Sequence, residues 1–535
     1  MKFDVLRNKY PSRRSVVYGR KGMVCTSQPL AAQAGLDMLK KGGNAIDAAI
    51  ATAAAMTVLE PTSNGIGGDA FALVWVDGKL HGLNASGVTP KLLNEDLVRS
   101  LGYDEMPKRG WLPVMVPGAP SAWAELSEKF GKLPFEVVLE PAIEYAEEGY
   151  AVSPIISKLW EDAYVEFKAS FKGDCFKPWF DTFAPKGRAP EAGEVWCSKE
   201  LANTLRAIAK TKSQDFYKGG LATEIDKFSK GTNGYLRKED LENYWCEWVE
   251  PICTDYRGYE VWEIPPNGDG IVALMALNIL KGFDFTERDT VETIHKQVES
   301  MKLAFVDGKK YVSDKNSMKV TVDQLLSEEY ALERRNLIGD KALMPEPGEP
   351  HSGGTIYLCT ADGEGNMVSF IQSNYLGFGS GVVVPGTGIS LQNRGIAFNL
   401  NKGDENYLEP CKKAFHTLIP AFLTKDKKAI GPFGVMGGYM QPQGHLQVVS
   451  NTIDFNMNPQ EALDAPRWQW IGGKEIQVER GFSYSLTEEL VRRGHKVSVL
   501  PESISFGRGQ IIWRDENGVL MGATEPRTDG TVAAW

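Results

Sequence analysis

The 535-residue chain contains no Cys-x-x-Cys and no His-x-x-x-His. Its seven cysteines (Cys25, Cys175, Cys197, Cys246, Cys253, Cys359 and Cys411) are scattered and odd in number. That pattern argues against a disulfide framework and against a zinc centre, and predicts thiols that are reduced and mostly buried; no metal ion and no cofactor is expected. Lysine and arginine never run together for more than a few residues and the net charge is −10, which speaks against a nucleic-acid partner. A long hydrophobic run is missing too. The least polar stretch, Ala45 to Leu59, is alanine-rich, interrupted by Asp47 and too short to span a bilayer, so no membrane partner is expected. Met1 to Lys21 is charged and lacks an apolar core of the secretory type, which predicts a cytoplasmic protein. There is no Gly-x-Ser-x-Gly elbow, no carboxylate pair at a useful spacing and no internal repeat.

What the chain does have is ample core material, with 42% hydrophobic residues and 13 tryptophans, so disorder is excluded. Within it stands His351-Ser352-Gly353-Gly354-Thr355-Ile356-Tyr357-Leu358-Cys359-Thr360-Ala361-Asp362. Thr355 opens an apolar strand directly after two glycines, where its hydroxyl could act as a nucleophile. Cutting the Gly354–Thr355 bond would also free an α-amine, with a pKa of about 7.7–8.0, able to accept a proton near neutrality. One residue would then hold both nucleophile and base. The same residues also read as a plain Gly-Gly turn entering a strand.

Around this point the pattern is mixed. Ser27 can cap a helix with Pro29 in its first turn, running to Lys40-Lys41 and stopping at Gly42-Gly43. Asn44 caps a second helix from Ala45 to Leu59, ended by Glu60-Pro61. Ala70–Val76 and Lys79–Asn84 are strands joined by the hairpin dipeptide Asp77-Gly78. A mostly helical middle runs from about Ala119 to Lys238, followed by a hairpin over Pro251–Ile264 with Tyr256-Arg257-Gly258 as its turn, and a helix over Thr293–Asp307. Residues 313–354 are polar and end in Pro345-Glu346-Pro347-Gly348-Glu349-Pro350, which predicts an exposed linker leading to Thr355. Strands are then predicted at Thr355–Ala361, Met367–Ser373, Ala421–Leu423, Ala429–Val435 and Gln510–Trp513, with helices at Gln443–Ile453 and Pro459–Ala465. Strand pairs with helices outside them predict a layered α/β fold.

The glycine clusters need context. Gly65-Ile66-Gly67-Gly68-Asp69 follows a helix and precedes strands, the reverse of a dinucleotide-binding fingerprint, and reads as a tight turn against the sheet. Gly377-Phe378-Gly379-Ser380-Gly381 and Pro385-Gly386-Thr387-Gly388 lack a P-loop lysine. Met436-Gly437-Gly438-Tyr439 sits between an apolar run and a helix, where two glycine N–H groups could meet an oxyanion or simply form a turn. Arg394 and His416-Thr417 are polar residues in apolar surroundings, each by itself readable as an ordinary surface or satisfied group.

Taken in order, Gly42-Gly43-Asn44-Ala45-Ile46-Asp47-Ala48-Ala49, Asn64-Gly65-Ile66-Gly67-Gly68-Asp69, Tyr256-Arg257-Gly258-Tyr259, the Gly-Gly-Thr start, Phe378-Gly379-Ser380-Gly381 and Met436-Gly437-Gly438 resemble the γ-glutamyltranspeptidase family from about Lys21 to the C-terminus. The resemblance implies an N-terminal-nucleophile hydrolase: α/β, a four-layer α/β/β/α sandwich forming one intertwined domain. It implies a precursor that cuts itself into a large subunit, residues 1–354, and a small one, 355–535, which stay together as a heterodimer open to further oligomerisation. On this resemblance Thr355 is the nucleophile and Gly437 and Gly438 are the oxyanion-hole glycines. An active-site asparagine falls on Asn374, while a gapless alignment puts Tyr375 there.

The substrate-binding positions depart from the family. Ser86 stands where the family's carboxylate-binding arginine falls, and Ala397 where its ammonium-binding aspartate falls. His416-Thr417 replaces a serine pair and Arg394 a glutamine, so Arg394 with His416 could form a carboxylate site of different geometry, with no group identified to balance a substrate ammonium. Each lost charged contact is typically worth roughly 1.5–3 kcal/mol. The stretch from Ala397 to His416 looks shorter than in lid-bearing members, which predicts a more open site that favours water over amine acceptors. The function implied is a γ-glutamyltransferase-like amide hydrolase or acyltransferase acting on a small-molecule amide through a threonyl acyl-enzyme. The alternatives are an acylase for a non-glutamyl amide (cephalosporin-type, or a small acid amide such as oxamate) and an uncleaved scaffold protein.

Overall fold

The computed structural model describes residues 14–345 and 354–535. Its frame is a pair of seven-stranded sheets, antiparallel throughout. The sheet that carries Thr355 runs in the order Thr531–Ala534, Gly22–Thr26, Gly354–Asp362, Met367–Tyr375, Asp69–Val76, Lys79–Ala85, Glu247–Val249. The other runs Val17–Gly19, Leu520–Thr524, Arg508–Arg514, Lys428–Met436, Ala421–Lys425, Tyr259–Glu263, Ile252–Tyr256.

Strand Gly354–Asp362 packs against Lys428–Met436 and Arg508–Arg514 of the facing sheet. The approach is close enough to require a missing side chain. A Cβ on Gly434 would lie 2.5 Å from the Tyr357 ring. Helices Pro29–Lys40 and Ala45–Leu59 lie on the Thr355 sheet, and Gly270–Leu280 and Met440–Ile453 on the other. The central strands are therefore covered on both faces, which is why Met367–Tyr375 is buried along its whole length, its polar residues Ser369, Gln372, Ser373 and Asn374 included.

Helix Ala45–Leu59 is buried at every position, which its alanines permit by letting the backbone come close to the strands. Its start is fixed by a capping box: the Asn44 side chain accepts from Ile46 and Asp47 N–H, and the Asp47 carboxylate accepts from Asn44 N–H. The same turn holds the far end of the Thr355 strand, because Ala45 N–H donates to Asp362 at 3.0 Å and Thr360 Oγ1 donates to the Ala45 carbonyl at 2.7 Å. At the Asp77-Gly78 hairpin both residues have positive φ, 51° and 75°, as a twisted two-residue turn demands.

Several expectations change. Ser27 does not cap the first helix; Gln28 is its N-cap residue, and Ser27 Oγ donates instead to Glu60 at 2.6 Å. The predicted linker contains helices Val322–Leu325 and Glu328–Arg335, because Thr321 and Ser327 cap them locally. Residues 346–353, with most of the proline-rich run, lie outside the described residues. The helix expected near Gln443 starts at Met440. Of the seven cysteines only Cys25 and Cys359 are buried, while Cys197, Cys253 and Cys411 are exposed. The exposed ones sit in loops or on an edge strand, where a small thiol meets no packing demand.

Candidate active site

Thr355 lies where the pairing of its strand slips. Gly354 faces Tyr375 but Ile356 faces Gln372, so the partner strand carries an extra residue opposite Thr355. Such bulges re-aim side chains. Here the irregularity brings Ser373 beside Thr355. Thr355 Oγ1 donates to Ser373 Oγ at 3.2 Å, and Ser373 Oγ also accepts from Tyr375 N–H at 2.7 Å. Tyr375 itself has φ 78°, unusual for a residue with a side chain.

From Tyr375 the contacts lead to Arg394. The guanidinium carbon lies 4.0 Å from the Tyr375 ring centroid, a cation–π geometry. Its Nη1 donates to Thr417 Oγ1 at 2.8 Å, whereas Nε and Nη2 are buried with no hydrogen-bond partner. A dry guanidinium with one open edge is a ready seat for a carboxylate. Beside it, Asp69 accepts from Gly87 N–H, Gln392 Nε2 and His416 Nε2, each at 3.1 Å. Burial pushes the Asp69 carboxyl up to about 7, with Arg394 pulling the other way. Burial, reinforced by Arg394 and Lys413, holds His416 well below its ordinary range. His416 is thus a neutral imidazole whose Nε2–H donates to Asp69 and whose Nδ1 accepts from Leu418 N–H at 3.2 Å.

Two further acids lie behind Arg394. Asp269 and Glu263 are fully buried, and burial, with their mutual repulsion felt at Glu263, raises both well above the carboxylate range. Glu263 Oε1 accepts from His445 Nδ1 at 2.7 Å. Asp269 is held by its backbone, its N–H donating to the His416 carbonyl at 2.8 Å.

Gly437 and Gly438 end the strand Lys428–Met436 and precede helix Met440–Ile453, with φ of 142° and 58°. Their carbonyls accept from Met440 and Gln441 N–H, but among the described residues neither of their own N–H groups donates to a partner. Two open amides beside a helix N-terminus suit a developing negative charge. They connect to the rest through Tyr439, which lies near Tyr375.

The other expected residues are placed differently. The Asn374 amide is buried without a partner and lies against the Gly65–Gly68 turn, 2.9 Å and 2.7 Å from where Cβ atoms on Gly65 and Gly68 would stand. That contact explains the glycines of the turn. Ser86 is occupied, donating to Asn84 at 2.7 Å and accepting from Asn267 Nδ2 at 3.2 Å. Its side chain meets the cluster through Asn267, whose carbonyl accepts from His416 N–H at 2.9 Å. Ala397 ends the short helix Arg394–Ala397 and its carbonyl accepts from Asn406 Nδ2.

The site is closed, not open as the short segment suggested. Thr355, Arg394, His416 and Thr417 are each at most 1% exposed. Within the segment, Lys412 Nζ donates to the carbonyls of Glu405 and Tyr407, at 2.8 and 2.9 Å. Elsewhere, His295, Glu299 and His495 bring ligand atoms within 4.8 Å of one another. Those atoms are engaged: His295 Nδ1 and His495 Nε2 hold each other at 2.8 Å, and Lys302 Nζ sits 2.7 Å from Glu299 Oε1.

Sequence reading had missed Ser373, Asp69, Asp269 and Tyr439. Asp69 and Tyr439 stood at the ends of glycine motifs that drew attention only to the glycines. Asp269 carried no local signal at all.

The mixed α/β fold and the matches to known proteins place the chain among the amidohydrolases. It belongs to the gamma-glutamyltranspeptidase family, whose model matches residues 31–535. It is 37% identical over 525 residues to the glutathione hydrolase-like YwrD proenzyme of Bacillus subtilis (strain 168), covering 96% of this chain and 98% of that one. It is 33% identical over 528 residues to the oxamate amidohydrolase proenzyme of Klebsiella pneumoniae, over 96% and 98% of the two chains. The crystal structure of cephalosporin acylase from Bacillus halodurans superposes with a TM-score of 0.98 at 63% identity, over 100% of this chain and 99% of that one. Among the described residues no helix is long and apolar enough to cross a membrane.

Proposed function

We propose that the chain is a self-processing amide hydrolase with an N-terminal threonine nucleophile. It cuts itself between Gly354 and Thr355 into fragments 1–354 and 355–535, within a four-layer α/β/β/α sandwich. Thr355 Oγ attacks the amide carbonyl and forms the ester bond while its freed α-amine takes the hydroxyl proton. The Gly437 and Gly438 N–H groups hold the oxyanion. The proton then passes to the leaving nitrogen as the C–N bond breaks, and water attacks the acyl-enzyme by the same route in reverse. Arg394, aided by Thr417, holds a carboxylate on the acyl group.

The observation that carries this reading is the Thr355–Ser373 hydroxyl pair, fully buried at the head of a central strand and connected through Tyr375 to a guanidinium with an open edge. A second reading keeps the chemistry and changes the acyl group to a non-glutamyl one of the cephalosporin-side-chain or oxamate type. It is favoured by Ser86 and Ala397, which carry no charge where the family holds its glutamyl group, and by the likeness to the acylase and to the oxamate amidohydrolase.

The test is Thr355→Ala. On a denaturing gel the unaltered protein should give two fragments, the smaller about a third of the chain. The variant should stay at full length and release no amine from any carboxylate-bearing amide. A Thr355→Ala chain that still splits rules the reading out, and an unaltered chain that never splits supports the scaffold alternative instead.

A further inference from the structure

Near Arg394 lies a second buried group without a hydrogen-bond partner, the carboxyl of Asp269. Asp269 is the residue before helix Gly270–Leu280, yet its side chain caps nothing there. Both of its carboxyl oxygens are buried without a hydrogen-bond partner, and the residue is 0% exposed. Its charged and polar neighbours are Arg394, Glu263, Tyr375 and Tyr439. Arg394 has two unpartnered nitrogens of its own, and still the two groups do not bond to each other.

Their spacing is fixed by short links. Arg394 bonds Thr417, the preceding residue His416 accepts through its carbonyl from Asp269 N–H, and Arg394 is stacked on Tyr375. Leaving a buried guanidinium and a buried carboxyl without partners is costly. A ligand that brings an anion to one and a cation to the other relieves both. Asp69 cannot serve as the second pole, because its oxygens already accept from Gly87, Gln392 and His416. Ala397, at the aligned family position, has no polar side chain.

We infer that Asp269 is a specificity residue of this site, receiving an ammonium that the acyl group carries next to the carboxylate held by Arg394. The cation-reading position has in effect moved from one loop to another. The Asn267-Gly268-Asp269-Gly270 turn supplies what residue 397 lacks. This inference rests on the roles proposed above for Thr355 and Arg394.

The experiment compares two chromogenic amides of equal length and leaving group, γ-glutamyl-p-nitroanilide and glutaryl-p-nitroanilide, which differ only in the ammonium. With the unaltered, self-processed enzyme, kcat/KM for the glutamyl compound should exceed that for the glutaryl compound by about tenfold or more, the worth of one charge-assisted hydrogen bond. Asp269→Asn should lower that ratio about tenfold, while Asp269→Glu, which keeps the charge, should retain the preference. A glutaryl compound turned over as well as the glutamyl one overturns the inference. So does an Asp269→Asn enzyme in which both rates fall in proportion, the mark of a structural role. In those cases the Thr355–Arg394 reading still stands. A protein that splits but hydrolyses neither compound also overturns this inference, and leaves the non-glutamyl reading of the same Thr355 chemistry in place. Should Asp269→Asn fail to fold, the comparison on the unaltered enzyme alone decides.

Discussion

Arg394 shows how much a single residue's meaning depends on what surrounds it. In the linear chain it reads equally as an ordinary satisfied group, and burial with two unpartnered nitrogens is what supports the binding role proposed for it. Stacked on Tyr375 and bonded to Thr417 through one nitrogen, it offers a planar edge of two donors. Lysine would keep the charge but lose the fork and the stacking. Arg394→Lys should therefore raise KM for a carboxylate-bearing amide by about thirtyfold, equivalent to about 2 kcal/mol, with a smaller effect on kcat. Steady-state kinetics over a substrate series checks this; an unchanged KM would place the substrate carboxylate elsewhere.

At the scale of elements, close approach of backbones explains the glycines better than chain flexibility does. Gly434 faces the Tyr357 ring across the two sheets, and Gly67 would put a Cβ 2.3 Å from the Ser390 carbonyl. Gly434→Ala should destabilise the protein by about 1–3 kcal/mol through overpacking, seen as a lower midpoint in urea or heat, with the inter-sheet strands displaced. The strands and helices themselves were largely legible. Asn44, Asp47 and the Asp77-Gly78 turn act locally, so the chain announces them, and helix Ala45–Leu59 falls where its cap and Glu60-Pro61 predict. The edge strand Val17–Gly19 and the closing strand Thr531–Ala534 were not legible, because short pairing segments depend on partners hundreds of residues away. The site divides in the same way. Thr355 and the Gly437-Gly438 pair could be read from motifs, whereas Ser373 is brought to Thr355 by a bulge and Asp269 to Arg394 by tertiary packing, neither of which leaves a local mark.

Across the whole molecule, the buried titratable groups couple stability to pH. His445 is neutral, with Nδ1–H donating to Glu263 and Nε2 accepting from Val435 N–H, and burial lowers it to about 3. An unfolded histidine takes up its proton below about 6.5. Between those values the unfolded state binds more protons than the folded one, so this group makes stability fall as pH drops from about 6.5 towards 3, by up to about 1.4 kcal/mol per pH unit. The buried acids Glu263 and Asp269 act in the opposite direction, losing stability as pH rises above their unfolded values, and both remain in a His445→Gln variant. Denaturation at a series of pH values should therefore show a shallower acid-side loss in His445→Gln than in the parent; identical slopes would show that the imidazole is charged in the fold.

The strand order has a further consequence. Residues before Thr355 supply strands to both sheets, and so do residues after it, with Gly22–Thr26 lying between Gly354–Asp362 and Thr531–Ala534. Neither fragment can complete a sheet by itself. While the chain is whole, its two parts meet at the millimolar effective concentration that a covalent tether provides. A cut before Thr355 would turn that encounter into a second-order one, a handicap of about 4 kcal/mol at micromolar protein. Assembly would then be a single-use event. On the proposed function the precursor would be the form that folds and the processed enzyme the form that works, and a processed molecule that lost its structure would have no efficient way back.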